Sequence, residues 1–352
     1  MQTTIRESNI NMEQIYIPKQ DYKVLVRCLT YNQSKYIEDA LNGFAMQKTN
    51  FPYVCLVLDD CSNDGEQEVI KTWMERECDM TKAEYINLEL SNVILVPHKT
   101  NLTCTFAFYL LKVNLYYSYE KKMKHVYPWR EHCEYETLCE GDDYWIVTDK
   151  MQKQVDALDN DLLTTMVYTD YKTIDGSGNA IIRPKYEEYK KLQKSGDNLP
   201  NLFKTNYPLT CTVMVRKEVF NSEIYVKSPI KYDYSLFIAA AFMGDFVYID
   251  NETSCYRMNP DSLMNCKRTV VNEWAAKVSE YYAYAYARGL SKRESVKNDF
   301  LIKYRISKRY VSHMPEHQPI FREICKYNKS FYFFVPIVWA VKIVEKLTFQ
   351  RA

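Results

Sequence analysis

The chain has 352 residues, 47% of them hydrophobic, which suits one large globular domain or two ordinary ones and excludes disorder over most of its length. Its 46 basic and 45 acidic residues nearly cancel, removing the electrostatic footprint of a nucleic-acid binder. Eleven cysteines with no C-x-x-C pair, and no charged, apolar leader at the start, read as reduced thiols in the cytoplasm; His132, Cys133 and Cys139 fit no zinc-ligand spacing.

Residues 1–20 are polar and aperiodic, an expected extended arm. Val24, Leu25, Val26, Cys28 and Leu29 form an apolar run of the kind that makes a buried strand. A helix follows, with Asn32 or Ser34 as its cap and Ile37, Ala40, Leu41 and Phe44 as its inner stripe. "YVCLVLDDCSNDG" repeats this unit: a strand over Val54–Leu58, Asp59 and Asp60 at its carboxyl end, then a helix around Val69–Met74. "NVILVP" reads as a third strand, "FAFYLLKVNLYY" as a helix, and "YETLCEGDDYW" as a fourth strand ending in acid. Strands alternating with helices over the first 150 residues predict an α/β domain with a mostly parallel sheet. Ligands of such sheets bind beyond the carboxyl ends of the strands, where Asp59, Asp60 and the "EGDD" cluster would meet.

After Lys150 the spacing predicts a helix over "KMQKQVDAL", a strand over "TTMVYTDY", a turn at "DGSGNAI" and a strand at "LTCTVMVR". "YDYSLFIAAAFMG" reads as a helix stopped by Gly244, "DFVYID" and "SCYRM" as two short strands. From residue 268 the chain is helical and basic. Its most apolar piece, "FYFFVPIVWAV" at 331–341, covers only about 17 Å of a roughly 30 Å hydrocarbon core as a helix, so it does not span a bilayer. Phe333, Ile337, Ala340, Val344 and Leu347 share one face over 331–347. That face suits a membrane interface, packing on the domain, or one side of a homo-oligomer.

The acids of "CEGDDYW" pose a physical question. Two carboxylates about 4 Å apart repel by roughly 4 kcal/mol at an effective dielectric of 20, so either water or a cation must compensate Glu140, Asp142 and Asp143. In order along the chain, "VRCLTYNQSKYIEDAL", "VLDDCSNDG", "HKTNLT", "CEGDDYWIVTDKMQKQVDAL", "TCTVMVRKEVF", "YDYSLF" and "YIDNETSCYRM" resemble the GT-A fold inverting glycosyltransferases of family 2, over residues 21–260. The resemblance implies a GT-A domain at 21–267, its nucleotide-binding part at 21–150 and its acceptor part at 151–267, followed by a helical region at 268–352. It also implies single-sugar transfer, with inversion, from a UDP-sugar or other nucleotide-sugar donor to a hydroxyl on a glycan or lipid-linked acceptor of a bacterial-type polysaccharide. The site of action would be the cytoplasm or the inner face of the cell membrane.

By the same resemblance Asp142 holds Mn2+ or Mg2+, with Asp143 as a helper and Glu140 in place of the first aspartate of the usual D-x-D. A divalent ion with oxygen ligands suits a diphosphate leaving group. Thr30, Tyr31, Asn32, Asp59 and Asp60 would surround the nucleotide, a carboxylate accepting from a uracil imide. Asn101 would lie near it too, although Thr103 stands where a glycine is common. Asp233 is the implied general base, with Asp245 and Asp250 read as structural. Tyr144 and Trp145 either stack on sugar or pack, and Arg216 and Arg257 either meet phosphate or stay at the surface. Two other classes compete: a sugar-1-phosphate nucleotidyltransferase, which would open with a Gly-rich loop rather than "CLTYNQSK", and a non-catalytic domain that binds a glycan or a partner enzyme.

Overall fold

The computed structural model describes residues 15–116, 118–258 and 268–349, without the side chains of Tyr119, Glu120 and Phe349. Most of the expected N-terminal arm lies outside them. The chain divides after Gln152 into two compact units.

The first unit contains β1 (Tyr22–Thr30), β2 (Tyr53–Asp59), β3 (Glu84–Asn87), β4 (Ser91–Pro97), β5 (Cys104–Leu111), β6 (Cys133–Leu138) and the short β7 (Tyr144–Trp145), the first six arranged in the order β3-β4-β5-β2-β1-β6. β5, β2, β1 and β6 are parallel; β3 and β4 add an antiparallel edge. Every residue of β2 is buried, which is why its sequence is a continuous apolar run rather than an alternation. The helix α1 (Ile37–Ala45) buries Ile37, Ala40, Leu41 and Phe44 as its spacing predicts, and α2 (Glu66–Glu77) packs through Ile70, Trp73 and Met74. Neither Asn32 nor Ser34 caps α1; the Gln33 carbonyl accepts from the Tyr36 and Ile37 amides instead.

Of the segment expected as a helix, "FAFYLLKVNLYY", the first six residues, Phe106–Leu111, lie in the strand β5, held between β2 and β4, and Tyr117 is outside the described residues. Phe106 to Leu111 are all buried, so the run never needed the polar face a surface helix shows, and periodicity cannot separate a doubly covered strand from a buried helix. Trp145 is buried edge-on against Phe44 at 4.9 Å, with the Lys150 ammonium 4.4 Å above its ring, so it packs rather than offering a platform for sugar.

In the second unit β9 (Met214–Arg216) runs antiparallel to β8 (Thr164–Ile174), and β10 (Asp245–Arg257) runs parallel to it. The two strands expected at "DFVYID" and "SCYRM" are one, because register shifts between Ile249 and Ser254 absorb the break without ending the pairing. In "LTCTVMVR" Thr210–Thr212 form a 3-10 turn, and the last three residues form β9. The turn after β8 forms as expected, the Asp175 carboxylate accepting from the Ser177 and Asn179 amides with Gly178 at φ 85°.

Helix Asp233–Met243 is buried from Tyr234 to Phe242, and Gly244 ends it in extended backbone rather than a left-handed cap. A side chain at 244 would strike the Leu163 carbonyl, and that close approach is what requires glycine. The tail helices Arg268–Ala287, Phe300–Tyr310, His317–Tyr327 and Phe334–Phe349 belong to this unit. The first is pinned to the buried helix where the Tyr282 hydroxyl donates to the Ser235 carbonyl at 2.9 Å.

Candidate active site

Parallel register brings three strand ends of the first unit together. Thr30, the last residue of β1, lies beside Asp59, the last of β2, while Arg27 pairs with Leu138 at the end of β6. Two residues on, the Glu140 carboxylate accepts the Leu29 amide at 3.2 Å. The loops that extend these strands carry most of the residues the sequence singled out.

The loop after β1 is laced to the one after β2. The Asn32 amide donates to the Ser62 hydroxyl at 2.8 Å, its side-chain oxygen accepts the Asn63 amide at 2.9 Å, and the Ser34 amide donates to Asp64 at 2.9 Å. Asn32 adopts φ 54°, a left-handed conformation that asparagine tolerates better than most residues. Glu66, which sequence reasoning passed over, is the buried hub: it accepts from the Thr30 hydroxyl, the Gln33 amide and the Ser62 hydroxyl. Burial raises its carboxyl above the usual range against those hydrogen bonds. Tyr31 is left exposed on the outside of this loop.

Asp59 and Asp60 are both buried but differently engaged. Asp59 accepts the Ser62 amide at 3.1 Å and the Gln67 side-chain amide through Oδ2, and its buried Oδ1 has no hydrogen-bond partner. Asp60 accepts the Leu115 amide at 2.6 Å through Oδ1 and pairs with the Lys122 ammonium at 2.5 Å through Oδ2. Its carbonyl takes the Asn114 side-chain amide at 2.9 Å. Asp60 therefore ties Asn114, Leu115 and Lys122 to the end of β2, and a nucleotide base would have to displace Lys122 to reach that oxygen.

The acidic turn closes where the Asp143 amide donates to the Glu140 carbonyl at 3.1 Å. Gly141 is required there: a Cβ would collide with Thr30 Oγ1 and come within 2.8 Å of Thr30 Cβ. Burial pushes the Glu140 carboxyl up to about 7; Arg27, the Leu29 amide and Lys122 pull it down, while the Asp142 charge pushes it up. Arg27 is already committed to the buried Glu136, which also takes Arg130 Nε at 2.6 Å. Burial raises Glu136, but the two guanidiniums outweigh it and hold that carboxyl below its ordinary range.

Among the described residues no three His, Cys, Asp or Glu side chains converge as a cation cage. What the turn offers is hard oxygen donors, with an Asp142 charge that raises Glu140 while Arg27 and Lys122 oppose it. This fits an ion that takes one or two carboxylates and leaves the rest of its sphere to phosphate and water.

Asn101 is not brought to this edge. It precedes β5 at the amino end of the sheet, where its side-chain amide donates to the Ala45 and Gln47 carbonyls at 2.8 and 2.7 Å and its oxygen accepts the Thr103 hydroxyl at 2.8 Å.

In the second unit Asp233 is the first residue of its helix. Its Oδ1 accepts the Tyr234 amide at 2.7 Å and its Oδ2 the Asn206 side-chain amide at 3.1 Å. Burial raises the carboxyl above its usual range and outweighs both hydrogen bonds. Asn206 Oδ1 and the Tyr232 hydroxyl, on the residues flanking this carboxyl, are buried without partners. The other acids are spoken for: Asp245 pairs with Arg293 at 2.5 Å and Asp250 accepts the Tyr248 hydroxyl at 3.2 Å. Arg216 holds the Thr164 carbonyl at 2.6 Å, a structural tie.

No protein-family model matches the chain. Uncharacterized proteins of Mycobacterium tuberculosis (Rv1520) and Mycobacterium bovis (Mb1547) are each 26% identical to it over 243 residues, 68% of this chain and 60% of the relative, so the match spans less than two thirds of these longer proteins. Among solved structures, S. aureus TarS 1-349 in complex with UDP has a TM-score of 0.51 at 14% identity, covering 91% of this chain and 87% of that one. The same protein in complex with UDP-GlcNAc has a TM-score of 0.50 at 15% identity, covering 89% and 82%. The likeness is one of fold: a GT-A-like, mixed α/β architecture with a central, mostly parallel sheet flanked by helices.

Proposed function

We propose that this chain is a glycosyltransferase that moves a single sugar, with inversion, from a UDP-sugar to a hydroxyl of a glycan or lipid-linked acceptor in polysaccharide assembly. The observation that carries the reading is the meeting of the Thr30–Asn32 loop, Asp59, Asp60 and the Glu140–Asp143 turn at the carboxyl edge of one parallel sheet. Nucleotides bind α/β sheets at that edge.

In this reading Asp60, released from Lys122, accepts the uracil imide N–H, and Asp59 keeps the loop beneath it rigid. Tyr31 and Asn32 flank the base. Asp142, with Glu140 and Asp143 beside it, would hold Mn2+ or Mg2+, which when bound supplies charge stabilisation to the departing diphosphate. The acceptor oxygen forms its bond to the anomeric carbon as the anomeric carbon–oxygen bond to the nucleoside diphosphate breaks, and Asp233 takes the acceptor proton. A raised carboxyl is the stronger base once ionised, so its burial serves that role. Asn101 is left out of the proposed site because its side chain is consumed at the opposite edge.

The test is a panel of nucleotide sugars screened for manganese-dependent binding by calorimetry and for slow release of nucleoside diphosphate. A uridine donor bound and hydrolysed supports the reading. Binding without turnover on any donor or acceptor would favour the non-catalytic alternative, and no nucleotide binding at all would remove the site assignment.

A further inference from the structure

The C-terminal helix has two apolar faces, and the fold uses only one. Phe331, Phe334 and Val338 are buried, Phe334 meets the Phe300 ring at 5.0 Å, Trp339 meets His313 at 4.3 Å, and Lys308 pairs with Glu345 at 2.6 Å. Lys342 Nζ donates to the Val311 carbonyl at 2.7 Å. These contacts fix the rotation of the helix. The other face, Phe333, Ile337, Ala340, Val344 and Leu347, points outward: Phe333 is 76% exposed, Val344 58% and Leu347 57%. Ile343 and Tyr332 are exposed as well.

Charge is distributed to match. Residues 268–352 carry 16 basic and 7 acidic side chains, a net +9, whereas residues 1–267 carry 30 and 38, a net −8. The near-neutral total hides a cationic segment that is the same one bearing the apolar face, with exposed Lys329 and Lys346 at its two ends. No helix among the described residues is long and apolar enough to cross a membrane. A helix anchored on one side, apolar on the other and flanked by lysines has the make-up of one that lies in a bilayer interface. A second copy fits less well, since it would bring two regions of net +9 together.

We propose that the outward face of helix Phe334–Phe349 docks this protein on the surface of a bilayer containing anionic phospholipid, with Phe333, Val344 and Leu347 entering the acyl boundary and Lys329 and Lys346 meeting headgroups. The docking does not depend on the sugar-transfer reading, and its test uses no activity.

The full chain is floated with vesicles of phosphatidylcholine alone and of phosphatidylcholine with phosphatidylglycerol. Binding is expected on the anionic vesicles only, and is weakened by raising salt well above 0.1 M, where the screening length is about 10 Å. Val344→Glu with Leu347→Glu, both at exposed positions, should lose binding at least about tenfold with an unchanged thermal melt. Lys329→Gln and Lys346→Gln should each lower it roughly fivefold. Absence of binding to anionic vesicles overturns the proposal, as does equal binding by the double glutamate variant. A wild-type dimer in sizing chromatography that this variant turns into a monomer, without vesicle binding by either, would assign the face to a second copy instead.

Discussion

Replacing Gly141 by alanine tests whether the acidic turn is held against the first strand's loop as described. The added Cβ would fall on Thr30 Oγ1 and Gln33 Oε1 and lie 2.8 Å from Thr30 Cβ, where carbon atoms normally keep about 3.5–4.0 Å. Thr30 does not yield freely. Its hydroxyl donates to the buried Glu66 carboxylate, so moving it breaks a charge-assisted hydrogen bond, whereas the Gln33 side chain can swing aside. The turn must therefore shift by about 1 Å, an overpacking cost of roughly 1–3 kcal/mol. For a unit of this size that is about 2–12 °C in Tm. Since Asp142 follows directly in the same turn, manganese-dependent UDP affinity should fall at least about tenfold, or 1.4 kcal/mol. Scanning calorimetry and titration calorimetry on the same preparation read both quantities. A variant that melts within about 1 °C of the parent and binds UDP equally well would refute the close approach and the place of Asp142 in the site together.

Asp142→Ala should abolish manganese-dependent nucleotide binding and transfer while leaving the melt unchanged; undiminished transfer would remove the metal assignment. Asp233→Asn should lower transfer by roughly 10²–10⁴ with donor binding intact, measured by product formation against donor titration. Because the wild-type carboxyl is raised by burial, wild-type transfer should fall on the acid side at a pH above the ordinary carboxylate range, and the variant should lack that limb. The sign for stability is opposite: a raised carboxyl favours the protonated fold, so ionisation costs stability as pH rises through it, and Asp233→Asn should melt higher than wild type at neutral pH but not near about pH 4. Lys122→Met and Asp60→Asn, combined in urea unfolding, should couple by about 1–3 kcal/mol, since each alone strands part of a buried pair; strictly additive effects would deny the tether.

Legibility in the sequence followed the range of the interactions. The buried strands β1 and β2, the helix α1 and the position of Asp59 and Asp60 at a strand's end were readable because they rest on spacing within a dozen residues. The misread helix at β5 shows the limit: six apolar residues in a row carry no period, and only the flanking strands β2 and β4 decide their conformation. Gly141 and Glu66 had weak signals in a glycine set among acids and a glutamate after "NDG", but their reason lies in Thr30, more than 30 residues away in each case. The Asn101 side chain looked available until the Ala45 and Gln47 carbonyls, more than 50 residues upstream, were brought against it.

By itself the sequence determined the class of fold, the carboxyl edge as the place for acidic chemistry, and the apolar stripe of the last helix. Which of these groups are at liberty was decided by tertiary structure alone. Asp60 is taken up by Lys122, 62 residues along the chain, and Asp245 by Arg293. The stripe of Phe333, Ile337, Val344 and Leu347 faces away from the fold because the Phe334 and Val338 side of the helix is the one the neighbouring helices cover. Periodicity records which residues share a face; it carries no information about which face meets another element, because that depends on the burial and hydrogen-bond demands of chain segments far away in sequence.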